Sequence, residues 1–244
     1  MVFVHGWTLD LDMWDAQAAS LAPAYRIIRL DRRGFGLSSG HPSAVGDRAD
    51  LRALCEHLEL GCVALVGMSQ GARVALQFAE SFPQMTSCVI LDGPPQLGPP
   101  DAAGSDVPYN HYRELTRTQG LQAFREKWQG HALTRLRTKD PSTHELLARM
   151  ISRYPGRDLA EPAGPPDVAV PHSGESVDKP ILLINGEFDL DSRKHYANQL
   201  KARLRRAEYA LIPDAGHLCS LDNPRIYNGV VKAFLQRYAT AVPL

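Results

Sequence analysis

The pentapeptide Gly67-Met68-Ser69-Gln70-Gly71 leaves the chain little choice of local structure. It follows the apolar run Val63-Ala64-Leu65-Val66 and opens the helical stretch Ala72-Arg73-Val74-Ala75-Leu76-Gln77-Phe78. A strand that turns this sharply into a helix forces its central serine into a strained backbone. The residues two before and two after must then be tiny, and Gly67 and Gly71 meet that need. The turn also puts the Ser69 hydroxyl at a helix N-terminus, where unpaired N–H groups favour negative charge. In this context Ser69 reads as a nucleophile rather than as a member of an ordinary glycine-rich turn.

Further runs at 2–4, 27–30, 88–91, 181–184 and 209–212 are short, apolar and rich in Val, Ile and Leu, without strict polar alternation. Strands buried on both faces of a parallel sheet look like this. Helical patterns fall between them at 11–21, 44–58, 70–81, 192–204 and 224–238. In the last, Ile226, Val230, Phe234 and Leu235 keep helical spacing, and Pro224 suits a first-turn position behind Asp222 or Asn223 as cap. Strands alternating with helices imply right-handed crossovers and a doubly wound, mostly parallel α/β sheet. One segment breaks the rhythm. Residues 94–179 begin with Pro94-Pro95, end with Lys179-Pro180, and carry turn clusters at 98–108 and 161–174. Between the clusters, 109–118, 121–131 and 141–153 look helical, so the segment reads as a helical insertion between two strands. From Arg113 to Arg157 ten Lys and Arg face four acids. This reads as a solvated surface rather than a device attracting anions, with Asp158, Glu161, Asp167, Glu175 and Asp178 offsetting the field.

Composition excludes more than it selects. The 244 residues suffice for one or two domains, given roughly 150 per domain. Lys and Arg number 27 against 27 Asp and Glu, so the basic footprint of a nucleic-acid binder is missing. The uncharged stretch at 60–72 has 13 residues, too few for a membrane span. No basic region precedes an apolar one at the start, so no secretory signal is expected. Cys55, Cys62, Cys88 and Cys219 show no CxxC spacing and read as free thiols in a reducing cytoplasm.

A serine hydroxyl needs a base, and the base needs an acid to orient it. The run at 181–184 leads into Asn185-Gly186-Glu187-Phe188-Asp189, and the run at 209–212 into Pro213-Asp214-Ala215-Gly216-His217. In a parallel sheet these ends share one edge with Ser69, the edge where ligands bind. Of nine histidines, only His5 and His217 follow strands. His217 is read as the base. His5 is read as a ring that pins neighbouring loops. Asp189 is preferred as the acid and Asp191 is the reserve, since Asp191 near a helix start reads as a cap and Asp214 as a turn residue. The loop His5-Gly6-Trp7-Thr8 can offer the Trp7 N–H to an oxyanion, beside the N–H of Gln70 after the nucleophile.

Together, His5-Gly6-Trp7, Asp31-Arg32-Arg33-Gly34-Phe35-Gly36-Leu37-Ser38, the turn at 67–71, Gly186 to Asp189 and Gly216-His217 resemble the α/β-hydrolase superfamily, in its group of esterases, lactonases and C–C hydrolases with a small helical cap. The resemblance implies an α/β-hydrolase core at 1–93 and 180–244, a cap at 94–179, nucleophile Ser69, acid Asp189, base His217, and oxyanion donors Trp7 and Gln70. It implies hydrolysis of a small ester or lactone with no cofactor and no metal. Met68, Phe35, Trp128 and Leu218 are candidate substrate walls. C–C bond cleavage and a cofactor-free haloperoxidase-like reaction use the same residues, and a receptor that binds without turnover is the alternative of another class. Members of the family usually carry a β-hairpin before the His-Gly strand, and this chain starts inside that strand. The run at 27–30 is then expected at an open sheet edge, unless the natural chain starts upstream or an altered sheet covers it, with reduced monomer stability or a homodimer through that edge as the consequence.

Overall fold

The computed structural model describes residues 1–96, 105–160, 174 and 176–238. Six strands form one parallel sheet: β1 (Val2–Val4), β2 (Ile28–Leu30), β3 (Val63–Met68), β4 (Thr86–Asp92), β5 (Ile181–Gly186) and β6 (Ala207–Ile212), in the order β2-β1-β3-β4-β5-β6. The strand order reverses between β1 and β3, so their carboxyl ends open the crevice where a doubly wound sheet takes its ligand.

Successive side chains of the central strands point to opposite faces. Phe3, Ala64, Val66, Cys88, Ile90, Leu182 and Ile184 enter one apolar cluster. Val2, Val4, Val63, Leu65, Val89, Leu91, Ile181 and Leu183 enter the other. Both faces are covered, which is why these strands read as unbroken apolar runs. The helices α2 (Ala44–His57), α3 (Gln70–Ser81) and α7 (Asp191–Arg203) cover the second face through Leu51, Cys55, Val74, Phe78, Tyr196 and Leu200. The first face is covered by a 3-10 turn at Leu11–Trp14, by α1 (Asp15–Leu21) and by α9 (Pro224–Tyr238), through Met13, Trp14, Leu21, Tyr227, Val231, Phe234 and Leu235. The single-turn α8 (Cys219–Asp222) leads into α9 and adds Cys219 and Leu221 to the same cluster.

The strand at 27–30 stands at a sheet edge, as expected, and both outermost strands are less buried than the inner ones. β2 is half-buried throughout and β6 is half-buried to exposed until Ile212, because each lacks a neighbour on one side. The single helix expected over 11–21 divides into a 3-10 turn, capped by the Asp10 side chain, and α1.

Between β4 and β5 the described residues hold helices and no strand: α4 (Tyr109–Gln129), α5 (Pro141–Arg153), α6 (Arg157–Ala160) and a 3-10 turn at Ala132–Thr134. Gly120, at φ 86°, breaks α4 between the two helical patterns read from the sequence. Most of the turn clusters at 98–108 and 161–174 lies outside the described residues. The apolar faces of α4 and α5 join the first cluster through Tyr112, Phe124, Trp128, Leu147, Met150 and Ile151, so this helical layer sits over the crevice. No helix among the described residues is long and apolar enough to cross a membrane.

Candidate active site

Ser69 stands between β3 and α3 at φ 51° and ψ −115°. Neighbouring backbone crowds the turn from two sides. A Cβ on Gly67 would lie 2.2 Å from the Gly71 carbonyl oxygen, and one on Gly71 would lie 2.2 Å from the Val4 carbonyl oxygen. The Ser69 N–H donates to the Asp92 carbonyl at 2.7 Å, tying the turn to the end of β4. A backbone this strained persists only where its surroundings over-determine it.

His217 and Asp189 meet at the same edge. The His217 Nδ1 is 3.0 and 3.1 Å from the two Asp189 carboxylate oxygens. Asp189 also accepts from the Asn185 side-chain amide and from the Leu190 N–H, each at 2.8 Å. Burial alone would raise the Asp189 carboxyl pKa, but the His217 ring, the Asn185 amide and the Leu190 N–H together hold it below the usual range. With Nδ1 engaged, the His217 Nε2 is buried and has no hydrogen-bond partner among the described residues. Asp191 heads α7 and is exposed, and Asp214 lies in a turn at φ 55°.

The loop after β1 borders Ser69. A Cβ on Gly6 would lie 3.4 Å from the Ser69 Cβ and 2.6 Å from the Met68 sulfur. The Trp7 N–H donates to no backbone carbonyl among the described residues. Gln70 is the first residue of α3, so its N–H has no partner inside the helix. His5 has the pinning role expected of it. Its Nδ1 donates to the Gly6 carbonyl at 2.8 Å, and its Nε2 accepts the Arg32 N–H at 2.9 Å. Burial, with the Arg32 charge adding, lowers its pKa to about 3, so the ring is neutral. Met68, Phe35, Trp128 and Leu218 are all buried in the apolar cluster that contains Trp7.

Several contributors had no signal in the sequence. Gly93 lies flat against the imidazole, where a Cβ would fall 2.6 Å from the His217 Cε1. Asp222, a candidate helix cap, instead accepts the Gly216 N–H at 2.8 Å and the Arg137 and Thr138 N–H groups at 2.6 and 3.0 Å. Asn223 takes the capping role, accepting from the Ile226 N–H. Asp158 is not a surface acid but a buried one, accepting from Trp7, Tyr109 and Tyr154. His131 stacks on Trp128 and caps the turn at Leu133.

A parallel sheet with this strand order, a strained serine turn and a His–Asp pair on one edge define a class, and comparison with known proteins agrees. The family model described as the alpha/beta hydrolase fold matches residues 1–224, and the chain belongs to that family. A putative 2-succinyl-6-hydroxy-2,4-cyclohexadiene-1-carboxylate synthase of Bacillus subtilis is 27% identical to it over 259 residues, covering 96% of this chain and 89% of that protein. A pimeloyl-[acyl-carrier protein] methyl ester esterase of Nitrosomonas europaea is 24% identical, covering 92% of this chain and 90% of that protein. Among solved structures, a thermophilic esterase from Thermogutta terrifontis superposes with a TM-score of 0.78 at 28% identity, covering 97% of this chain and 89% of that one.

Proposed function

We propose that this chain is a serine hydrolase that cleaves a small carboxylic ester or lactone through an acyl-enzyme on Ser69. One observation carries the reading. The His217 ring has its Nδ1 fixed by Asp189 while its buried Nε2 has no partner among the described residues, at the sheet edge that also presents Ser69.

In this reading Nε2 takes the Ser69 proton as the hydroxyl oxygen attacks the ester carbonyl. The carbonyl electron pair moves to oxygen, and the N–H groups of Trp7 and Gln70 stabilise the resulting anion. One such donor is worth about 3–4 kcal/mol in the transition state. Asp189 holds the tautomer that leaves Nε2 free and stabilises the imidazolium. The imidazolium then protonates the leaving alcohol as the C–O bond breaks. Water, deprotonated by His217, releases the acid and restores Ser69. Met68, Phe35, Trp128 and Leu218 are proposed as walls of the acyl and alkyl site, and the small helical cover favours short substrates or a lactone ring.

The test is turnover of p-nitrophenyl acetate with labelling by a fluorophosphonate. Ser69→Ala is expected to keep the fold, lose labelling, and lower kcat by about 10⁴-fold or more. Full labelling or undiminished turnover in Ser69→Ala overturns the reading. Turnover of a ring-fission diketone in preference to esters redirects it to C–C bond cleavage.

A further inference from the structure

The loop that carries the proposed oxyanion donor has little to hold it from within. Residues 5–10 lie between β1 and the 3-10 turn, outside any strand or helix, and Thr8 sits at φ 63° without being glycine. Beside the His5 ring, which ties Gly6 and Arg32, the helical cover holds the loop at three points. The Trp7 indole Nε1–H donates to the Asp158 carboxylate at 2.7 Å. The Thr8 hydroxyl accepts the Trp128 indole Nε1–H at 2.7 Å. Asp10 and Asp12 take the Arg153 guanidinium, each at 2.7 Å.

The first contact is the unusual one. Asp158 belongs to a single-turn helix, is 8% exposed, and takes the Tyr109 hydroxyl at 2.6 Å and the Tyr154 hydroxyl in addition to the indole. Two phenols and an indole satisfy a carboxylate that would otherwise be costly to bury. The rings of Tyr109, Phe124, Trp128 and Tyr154 surround the Trp7 indole with centroids 4.8–6.0 Å away. Apolar packing holds the indole laterally, and the directional acceptor adds a fixed anchor that, through the Cα, limits how far the backbone of residue 7 can shift.

We propose that Asp158 is a positioning residue for catalysis. By gripping the Trp7 indole, it aims the Trp7 backbone N–H at the substrate oxyanion, so the cover completes the active site rather than only enclosing it. The inference rests on the serine-hydrolase reading. An oxyanion donor must lie 2.7–3.1 Å from the charged oxygen, so a small rotation of the loop weakens the transition state more than the ground state.

The test compares wild type, Asp158→Asn, Trp7→Phe and the double variant with p-nitrophenyl acetate, together with binding of an arylboronic acid, whose tetrahedral serine adduct places an oxygen where the oxyanion forms. Asp158→Asn and Trp7→Phe are each expected to lower kcat about 10- to 100-fold with KM within about twofold, and to weaken boronate binding in parallel. The double variant is expected to fall no further than the worse single one, because both remove one interaction. Trp7→Phe keeps the proposal testable if Asp158→Asn does not fold. Either single variant with a wild-type melting temperature, kcat and boronate affinity overturns the proposal, as does an additive loss in the double variant. Ser69→Ala, run alongside, separates the two ideas. If it retains turnover the hydrolase reading itself fails, whereas if it is inactive and Asp158→Asn is unaffected only the positioning role fails.

Discussion

At Ser69 the backbone adopts φ 51°, outside the range most side chains favour, and such strain costs about 1–3 kcal/mol. The cost is met by packing, since Gly67 and Gly71 admit neighbouring backbone so closely that no side chain fits at either position. Gly93 has a comparable role at the end of the adjacent strand β4, touching the ring of His217. Gly93→Ala is therefore expected to push the imidazole off its Asp189 partner and lower kcat at least about tenfold while the chain stays folded. Steady-state kinetics with far-ultraviolet circular dichroism check this. Ser69 was legible because its whole requirement is local: a strand, two glycines and a helix within one short window. His217 and Asp189 were legible because each follows a strand of the same sheet. Gly93, Asn185, Asp158 and Asp222 were not, because what defines them is a contact with a distant stretch of the chain. Trp7 and Asp158, for example, are 151 residues apart, and no local pattern encodes such a pair.

At the scale of elements, α2 and α5 begin behind a side chain that satisfies one of their first N–H groups. In α2 the Ser43 hydroxyl accepts the Gly46 N–H at 3.0 Å. Ser43→Ala is expected to cost about 1 kcal/mol. In a chain of this size that lowers the melting temperature by about 2–4 °C, measurable by calorimetry, with kcat unchanged. Inner strands show as unbroken apolar runs because both their faces are covered, and helices by one apolar face: α3 and α5, for instance, run over Gln70–Ser81 and Pro141–Arg153, the spans their apolar periodicity predicts. β6 is the exception, since its residues look like those of an inner strand yet it closes the sheet, whereas β2 stands at the edge where the run at 27–30 is expected. Which strand ends at an edge depends on the order of the sheet, and local composition does not carry that. The one-turn helices α6 and α8 are too short to show any period.

For the whole molecule, stability and pH are coupled through two buried groups beside the site. Burial raises the Asp92 carboxyl pKa to about 8, with the nearby Asp189 charge adding and the Cys219 thiol, which donates to it at 3.1 Å, opposing. Asp92 thus holds its proton in the folded state and releases it in the unfolded chain between about pH 4 and 8, where the folded state binds the extra proton. In that window its contribution to stability falls as pH rises, by up to about 1.4 kcal/mol per pH unit. His5 works the other way. It stays neutral when folded and is protonated when unfolded between about pH 3 and 6.5, so its contribution is lost on acidification. Urea melts of wild type and Asp92→Asn at pH 5, 6, 7 and 8 separate the two, because His5 is common to both proteins. The variant is expected to gain on wild type steadily with pH, and a constant difference would show that Asp92 does not titrate in this way.

The indoles of Trp7 and Trp128 lie 4.8 Å apart at an angle of 67°, one on the loop that follows β1 and the other on α4 in the helical layer above it. Two chromophores so close exchange excitation, and the coupling fades quickly as they separate. Of the three tryptophans, only Trp14 lies elsewhere, packed on Phe3 and Tyr227. The molecule therefore carries a built-in optical gauge of the seam between its two layers. A near-ultraviolet dichroism band from this pair would vanish when the layers separate, even with the sheet and its helices intact.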